Sequence, residues 1–307
     1  MNNNFPQRPT RPTHAEIGLP NSDPGYYYDP NVVAGQHGEI RLSPRVEAIC
    51  KCGGRPPYQI YERPDAEPIW CPCRPYRLRI RQVNRLIAES GIPERFRYKF
   101  LDDFYEGYGG QPIPGATRLK EYLRSLIDRH VEARSRQTAH AQGAPQPSPS
   151  NPAPPPRGFL LWGKPGNGKT LFACVVLNEL IFHACRPGRF IGLSRKFFQT
   201  LRHTFDEDSP IHGQAMPILE TLSTVPFLVI DDFGVQRNTE WEIEMLYNLV
   251  DARYADQRFT VVTTNQGIED IKGLAAGRIY SRFLEMCYII HVQAPDYREY
   301  AKKEYEV

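Results

Sequence analysis

No apolar run in this sequence approaches the roughly 20 residues needed to cross a bilayer. The opening MNNNFPQRPTRPTH also lacks the hydrophobic core of a secretory signal, which leads us to expect a cytosolic protein with no membrane partner. Strong charge of either sign is missing as well. With 38 Lys or Arg against 35 Asp or Glu, the net charge of +3 defines no partner by itself. Seven cysteines in a reducing compartment exclude a disulfide framework, so each has to be read by its neighbours.

Proline is abundant, and its 29 copies cluster. Their distribution divides the chain into an unstructured arm at 1–43, a cysteine-rich module at 44–90, a helical connector at 91–136, a Pro-rich linker or loop at 137–157 and a globular core at 158–307. The PGYYYDP stretch in the arm is either a docking peptide or plain tail. Charge is uneven too. Residues 44–99 hold twelve Lys or Arg against six Asp or Glu, a local field that suits a polyanion or an acidic protein face, or else a solvated surface.

Within that basic region Cys50-Lys51-Cys52 and Cys71-Pro72-Cys73 stand eighteen residues apart. Four thiolates on two knuckles, separated by a β-like stretch at Tyr58 to Glu62, can close a tetrahedral Zn²⁺ site and staple a segment too small to fold alone. Structural knuckles usually place two or more residues within each pair, so unligated thiols remain the alternative. Histidine is missing between the pairs, which leaves Cys50, Cys52, Cys71 and Cys73 as the ligand set. Tyr76, Ile80, Val83 and Ile87 then form one stripe of a basic helix that Gly91 and Pro93 stop. This helix can pack on the module, dock a partner or contact nucleic acid. A second helix follows on Leu119, Tyr122, Leu123, Leu126, Ile127 and His130.

The chemistry begins at FLLWGKPGNGKT. An apolar strand from Phe159 to Trp162 enters Gly163, Lys164, Pro165, Gly166, Asn167, Gly168, Lys169 and Thr170, and a helix starting near Leu171 leaves it. This is the phosphate-binding loop pattern in its strand–loop–helix setting. Small residues let backbone N–H groups curl around phosphate oxygens, Lys169 reaches the β and γ phosphates of ATP, and the Thr170 hydroxyl ligates Mg²⁺. Further strands are predicted at Arg189 to Leu193, Phe227 to Ile230, Phe259 to Thr264 and Cys287 to Val292. Ser194 caps a helix carrying Phe197, Phe198, Leu201 and Phe205, and Thr239 with Glu242 forms a capping box. Asp231 follows an apolar strand, where it can bind Mg²⁺, with Asp232 beside it, and Asn265 ends the next strand. The alternation predicts an α/β core with a mainly parallel sheet.

The order LLWGKPGNGKT, FLVIDDFG, VVTTN, GRIYSRFLE and a final DYR, with IPERFRYKFLDDF before it, resembles the AAA+ P-loop ATPases. Within them it is most similar to the bacterial and phage replicative helicase loaders of the DnaC/DnaI type. The resemblance covers about residues 92–307 less the Pro-rich stretch. It implies a five-stranded parallel sheet and ATP hydrolysis with Mg²⁺. It further implies a hexameric replicative helicase as partner, single-stranded DNA, and self-association through the ATPase core. By the same resemblance Asp231 is the Mg²⁺ ligand, and Asp232 holds the position of the water-activating carboxylate, usually Glu, which points to slow hydrolysis. Asn265 orients the water. Arg282, or Arg278 four residues before it, is the arginine finger, and Arg298 contacts ATP in its own subunit. Arg195, Lys196, Phe197, Phe198 and Arg202 would meet single-stranded DNA, unless the aromatics form that helix's core face. The cysteine-rich module is similar to the DnaI-like branch and weighs against the IstB-like transposition helpers, which share the core. A zinc-dependent adaptor that binds nucleotide with little hydrolysis is the third reading.

Overall fold

A computed structural model describes residues 26–29, 39–63, 65–103, 107–108, 111–112, 117, 120–127, 158–193, 195–204, 207–210, 212–234, 239–294, 296 and 298. Expectations placed on the rest of the arm, the Pro-rich stretch, Leu119, His130, Ser194 and Phe205 lie outside the described residues, as do the side chains of Arg195 and Lys196. The chain divides into two compact units, residues 1–84 and 85–307.

In the first unit, β1 (Tyr26–Asp29) pairs antiparallel with β2 (Glu39–Leu42), where the sequence predicts an arm without regular structure. Consecutive tyrosines favour extended backbone, and Ile40 and Leu42 are buried around an exposed Arg41. That alternation is only one strand long, too short to stand out beside Gly and Pro. The Ser43 side chain accepts from Val46 N at 3.4 Å and starts the short helix α1 (Pro44–Ala48), with Pro44 at its first position. A hairpin of β3 (Gln59–Ile60) and β4 (Ile69–Trp70) separates the cysteine pairs, and α2 (Arg74–Glu89) follows the second pair directly. Leu42, Val46, Tyr58, Cys71 and Cys73 form the unit's small core, with Cys50, Cys52, Ile60, Tyr76 and Ile80 packed against it.

The second unit is built on β7 (Gly158–Trp162), β8 (Gly188–Gly192), β9 (Phe227–Asp231), β10 (Phe259–Thr264) and β11 (Tyr288–His291), numbered after the two-residue pair β5 (Gly107–Tyr108) and β6 (Gln111–Pro112). All four pairings are parallel, in the order β11-β7-β10-β9-β8, the five-stranded sheet that the AAA+ resemblance implies. β7, β9 and β10 are buried along nearly their whole length because helices cover both faces. On one face lies α4 (Lys169–Ala184), buried from Phe172 to Phe182. The other face packs against α5 (Arg195–His203), α6 (Ala215–Thr224), α7 (Glu240–Ala255) and α9 (Arg278–Met286), with the short α8 (Ile268–Gly273) between strand and helix. The helical residues 120–127, α3, bury Leu123, Leu126 and Ile127.

The approach segment before the core is held by buried polar groups of α4. Asn178 Nδ2 donates to the carbonyls of Phe96 and Lys99 at 2.8 and 2.9 Å, and Leu101 N donates to Glu179 Oε1 at 2.6 Å. One local expectation, the Thr239–Glu242 capping box, is corrected. Thr239 does accept from Glu242 N, at 3.3 Å, but the Glu242 carboxylate is engaged by Arg202 at 3.1 Å. On α5, Phe198 and Leu201 fill the interior, and Phe197 packs partly buried against the same core.

Candidate nucleotide site and cysteine cluster

The loop Gly163–Thr170 connects the C-terminal end of β7 to the first turn of α4, where unpaired N–H groups and the positive end of the helix favour an anion. Lys169 Nζ lies within the loop, donating to Gly163 O at 2.9 Å, Lys164 O at 2.7 Å and Asn167 Oδ1 at 2.8 Å. Burial lowers its pKa to about 8, against the pull of Asp232 and Asp231, and the Arg298 guanidinium adds to the lowering.

β9 delivers both acids beside this loop, and β10 braces them. Thr170 Oγ1 donates to Asp231 Oδ1 at 2.9 Å, so the first helical residues and the end of β9 meet directly. Thr263 on β10 ties both acids together. Its hydroxyl donates to Asp231 Oδ1 at 2.5 Å and accepts from Asp232 N at 3.1 Å. Asp231 is buried, which raises its pKa; the Asp232 charge pushes the same way, and the Thr263 and Thr170 hydroxyls and Lys169 oppose it. Asp232 stands at φ 57, a left-handed conformation that short polar Asp enters more readily than most side chains. Its Oδ1 accepts from Asn265 Nδ2 at 3.0 Å. Hard oxygen donors from Thr170 and Asp231, adjoining a phosphate-type loop, are the donor set that Mg²⁺ takes.

The segment after β11 reaches the loop from the opposite side. Asn167 Nδ2 donates to Val292 O at 2.6 Å, so the buried Asn167 amide uses its oxygen on Lys169 and its nitrogen on the chain beyond β11. Gly166 stands at φ 80, which strains any other residue there, and a Cβ on it would lie 2.0 Å from Asp296 Oδ1 and push that carboxylate aside. The same Asp296 oxygen accepts from Arg298 N at 2.9 Å. Thr263 escapes recognition from sequence, since it is one of three threonines in β10 and no spacing sets it apart; Asp296 is legible as the residue that opens the last helix, but not as a neighbour of the loop.

Arg278 and Arg282 are placed elsewhere. Both sit on α9 facing α7, where Arg282 Nε donates to Asp251 Oδ1 at 2.8 Å and lies between the rings of Tyr247 and Tyr254. Arg278 is exposed, stacks over Tyr247 at 4.5 Å and donates to Ala275 O at 3.2 Å.

In the first unit the four cysteines converge despite their tight spacing. All four sulfurs lie within 4.8 Å of one another, with Cys50 to Cys73 and Cys52 to Cys73 at 3.5 Å and Cys50 to Cys52 at 3.8 Å. A tetrahedral zinc with bonds of about 2.3 Å sets sulfurs about 3.8 Å apart, so the cluster fits that ion. Lys51 N donates to Cys71 Sγ at 3.4 Å, and Arg77 Nε donates to Cys73 Sγ at 3.4 Å. N–H donors of this kind favour thiolates, the form a metal needs.

Residues 157–305 match the family model described as IstB-like ATP binding protein. A stretch of 124 residues is 31% identical to the replicative helicase loader DnaC of Escherichia coli strain K12, covering 40% of this chain and 49% of that protein. The DnaC of Buchnera aphidicola subsp. Acyrthosiphon pisum is 30% identical over 147 residues, which is 47% of this chain and 57% of that protein. The chain thus spans about half the length of the curated relatives it matches. A crystal structure of the DnaC helicase loader covers 66% of this chain and 100% of its own, at 20% identity and a TM-score of 0.48, too low to add weight. The loop, the paired acids at the end of β9 and the family match agree: residues 157–305 are similar to the IstB-like ATP binding proteins and carry the loop and acids of an ATP-binding domain.

Proposed function

We propose that this protein is an ATP-dependent loader that delivers a hexameric replicative helicase to single-stranded DNA, with nucleotide state switching assembly and release. The observation that carries the reading is the 31% identity of a 124-residue stretch to a replicative helicase loader. The cysteine-rich unit supports it as a separate module for gripping the helicase, with Cys50, Cys52, Cys71 and Cys73 holding Zn²⁺ as a structural staple.

ATP places its phosphates against the N–H groups of Gly163–Thr170, and Lys169 exchanges its loop carbonyls for β and γ oxygens. Thr170 and Asp231 would hold Mg²⁺, which would neutralise phosphate charge. Water attacks the γ phosphorus, the bond to the β–γ bridging oxygen breaks, ADP leaves, and the water proton passes to Asp232, with Asn265 fixing that carboxylate. Arg298 contacts the nucleotide in its own subunit. An α9 arginine acts on the neighbouring copy's γ phosphate; Arg282 must release Asp251 to do so, whereas Arg278 is already exposed.

A second reading, a transposition helper, is favoured by the description of the matched family. A loading reaction separates the two. On circular single-stranded DNA coated with binding protein, the helicase of the same organism should unwind an annealed strand only when this protein and ATP are added. Failure there, together with stimulation of a transposase, would replace the loader reading with the second.

A further inference from the structure

Eight large apolar side chains are exposed among the described residues, and five of them lie between residues 49 and 78. The described residues of the second unit contribute three. The hairpin between the cysteine pairs concentrates this surface: Tyr61 is 63% exposed, Trp70 54% and Ile69 45%. With Ile60 and Pro72 they line one open groove of about 620 Å³. Arg74 lies over the Trp70 ring at 3.9 Å, and Lys51 and Glu62 stand on the rim. Residues 44–84 hold eight Lys or Arg against four Asp or Glu, so the field around the groove is basic despite Glu62. A small module that leaves Trp, Tyr and Ile in water while four of the ten residues of its core are cysteines has given up burial that it needs for stability.

We infer that the β3–β4 hairpin groove is the docking surface for the helicase, and that its occupant is a helicase segment with apolar side chains flanked by carboxylates. This rests on the loader reading above. Apolar residues of the occupant fill the groove beside Trp70, and its acids meet Lys51 and Arg74. Trp and Arg are the types that dominate interface energies, and rim charges set the salt dependence.

The test measures affinity of full-length protein for the intact helicase hexamer at low and high salt, with metal content and ATP binding recorded for each variant. Trp70→Ser and Ile69→Ser should each weaken binding at least about tenfold. Trp70→Phe should restore most of it, Lys51→Glu should weaken it most at low salt, and Met216→Ser, an exposed apolar position of the other unit, should leave it unchanged. Lys51→Glu alters only an exposed side chain, so it keeps the test open if Trp70→Ser fails to fold. Wild-type affinity in metal-loaded Trp70→Ser and Lys51→Glu proteins would overturn the groove assignment while leaving the loader reading standing. Loss of self-association in place of helicase binding would make the occupant a second copy. Absence of any complex with the wild-type protein would remove the loader reading and this proposal together.

Discussion

Burial holds the Lys169 ammonium at a pKa of about 8, even with Asp232 and Asp231 pulling it upward. Phosphate oxygens favour the charged ammonium, so bound ATP raises that pKa. Below about pH 8 the group is charged in both free and bound protein, and affinity should be level. Above it the free protein has lost the proton that binding needs, and Kd should rise by up to about tenfold per pH unit until the bound pKa is reached. Calorimetry in buffers of different ionisation heat reads both effects, as rising Kd and as proton uptake. A Kd unchanged well above that pH would contradict the assignment. Thr263 makes a separate prediction. Thr263→Val keeps the shape but removes the hydroxyl that joins Asp231 and Asp232, so kcat should fall about tenfold or more while ATP binding persists. Equal losses in binding and turnover would instead mean that Thr263 only holds the strand.

Arg253 acts between elements. From α7 its fully buried guanidinium donates to Leu222 O at 2.7 Å and Val225 O at 2.9 Å at the end of α6, and to Phe259 O at 2.7 Å and Thr260 Oγ1 at 2.9 Å at the start of β10. Arg253→Leu leaves those acceptors buried and unpaired, and urea unfolding should show a loss of about 3–5 kcal/mol. A loss under about 1 kcal/mol would show that water or neighbours replace the guanidinium. No sequence pattern announces this residue, because a single Arg on an amphipathic helix reads as solvated. The strands, by contrast, are legible: burial on both faces makes Phe159–Trp162 and Phe227–Ile230 continuous apolar runs, and Phe259–Thr264 a run of β-branched and aromatic residues. The phosphate loop and Asp231 are legible because their chemistry dictates residue types at fixed spacing. Helix α6 is not, since Pro217 in its first turn reads as a break although a first turn tolerates proline. Phe197 and Phe198 fit either a core face or a base-stacking face in sequence, and only packing decides for the core.

At the scale of the whole molecule, the two units carry separate chemistry. The first has a core in which sulfur stands in for hydrocarbon, so zinc removal should unfold residues 44–84 while the second unit still binds ATP. Hydrogen exchange with and without chelator reads this directly, and protection unchanged across residues 44–84 would mean the module folds without metal. The proposed loader uses both units, a nucleotide switch on one and a helicase grip on the other. The most direct test is size-exclusion chromatography with light scattering of this protein mixed with its own organism's replicative helicase, with ATP, before and after zinc removal. The account predicts a stable complex that chelation abolishes. A complex that survives chelation would move the grip to the ATP-binding domain, and no complex in any nucleotide state would contradict the loader account itself.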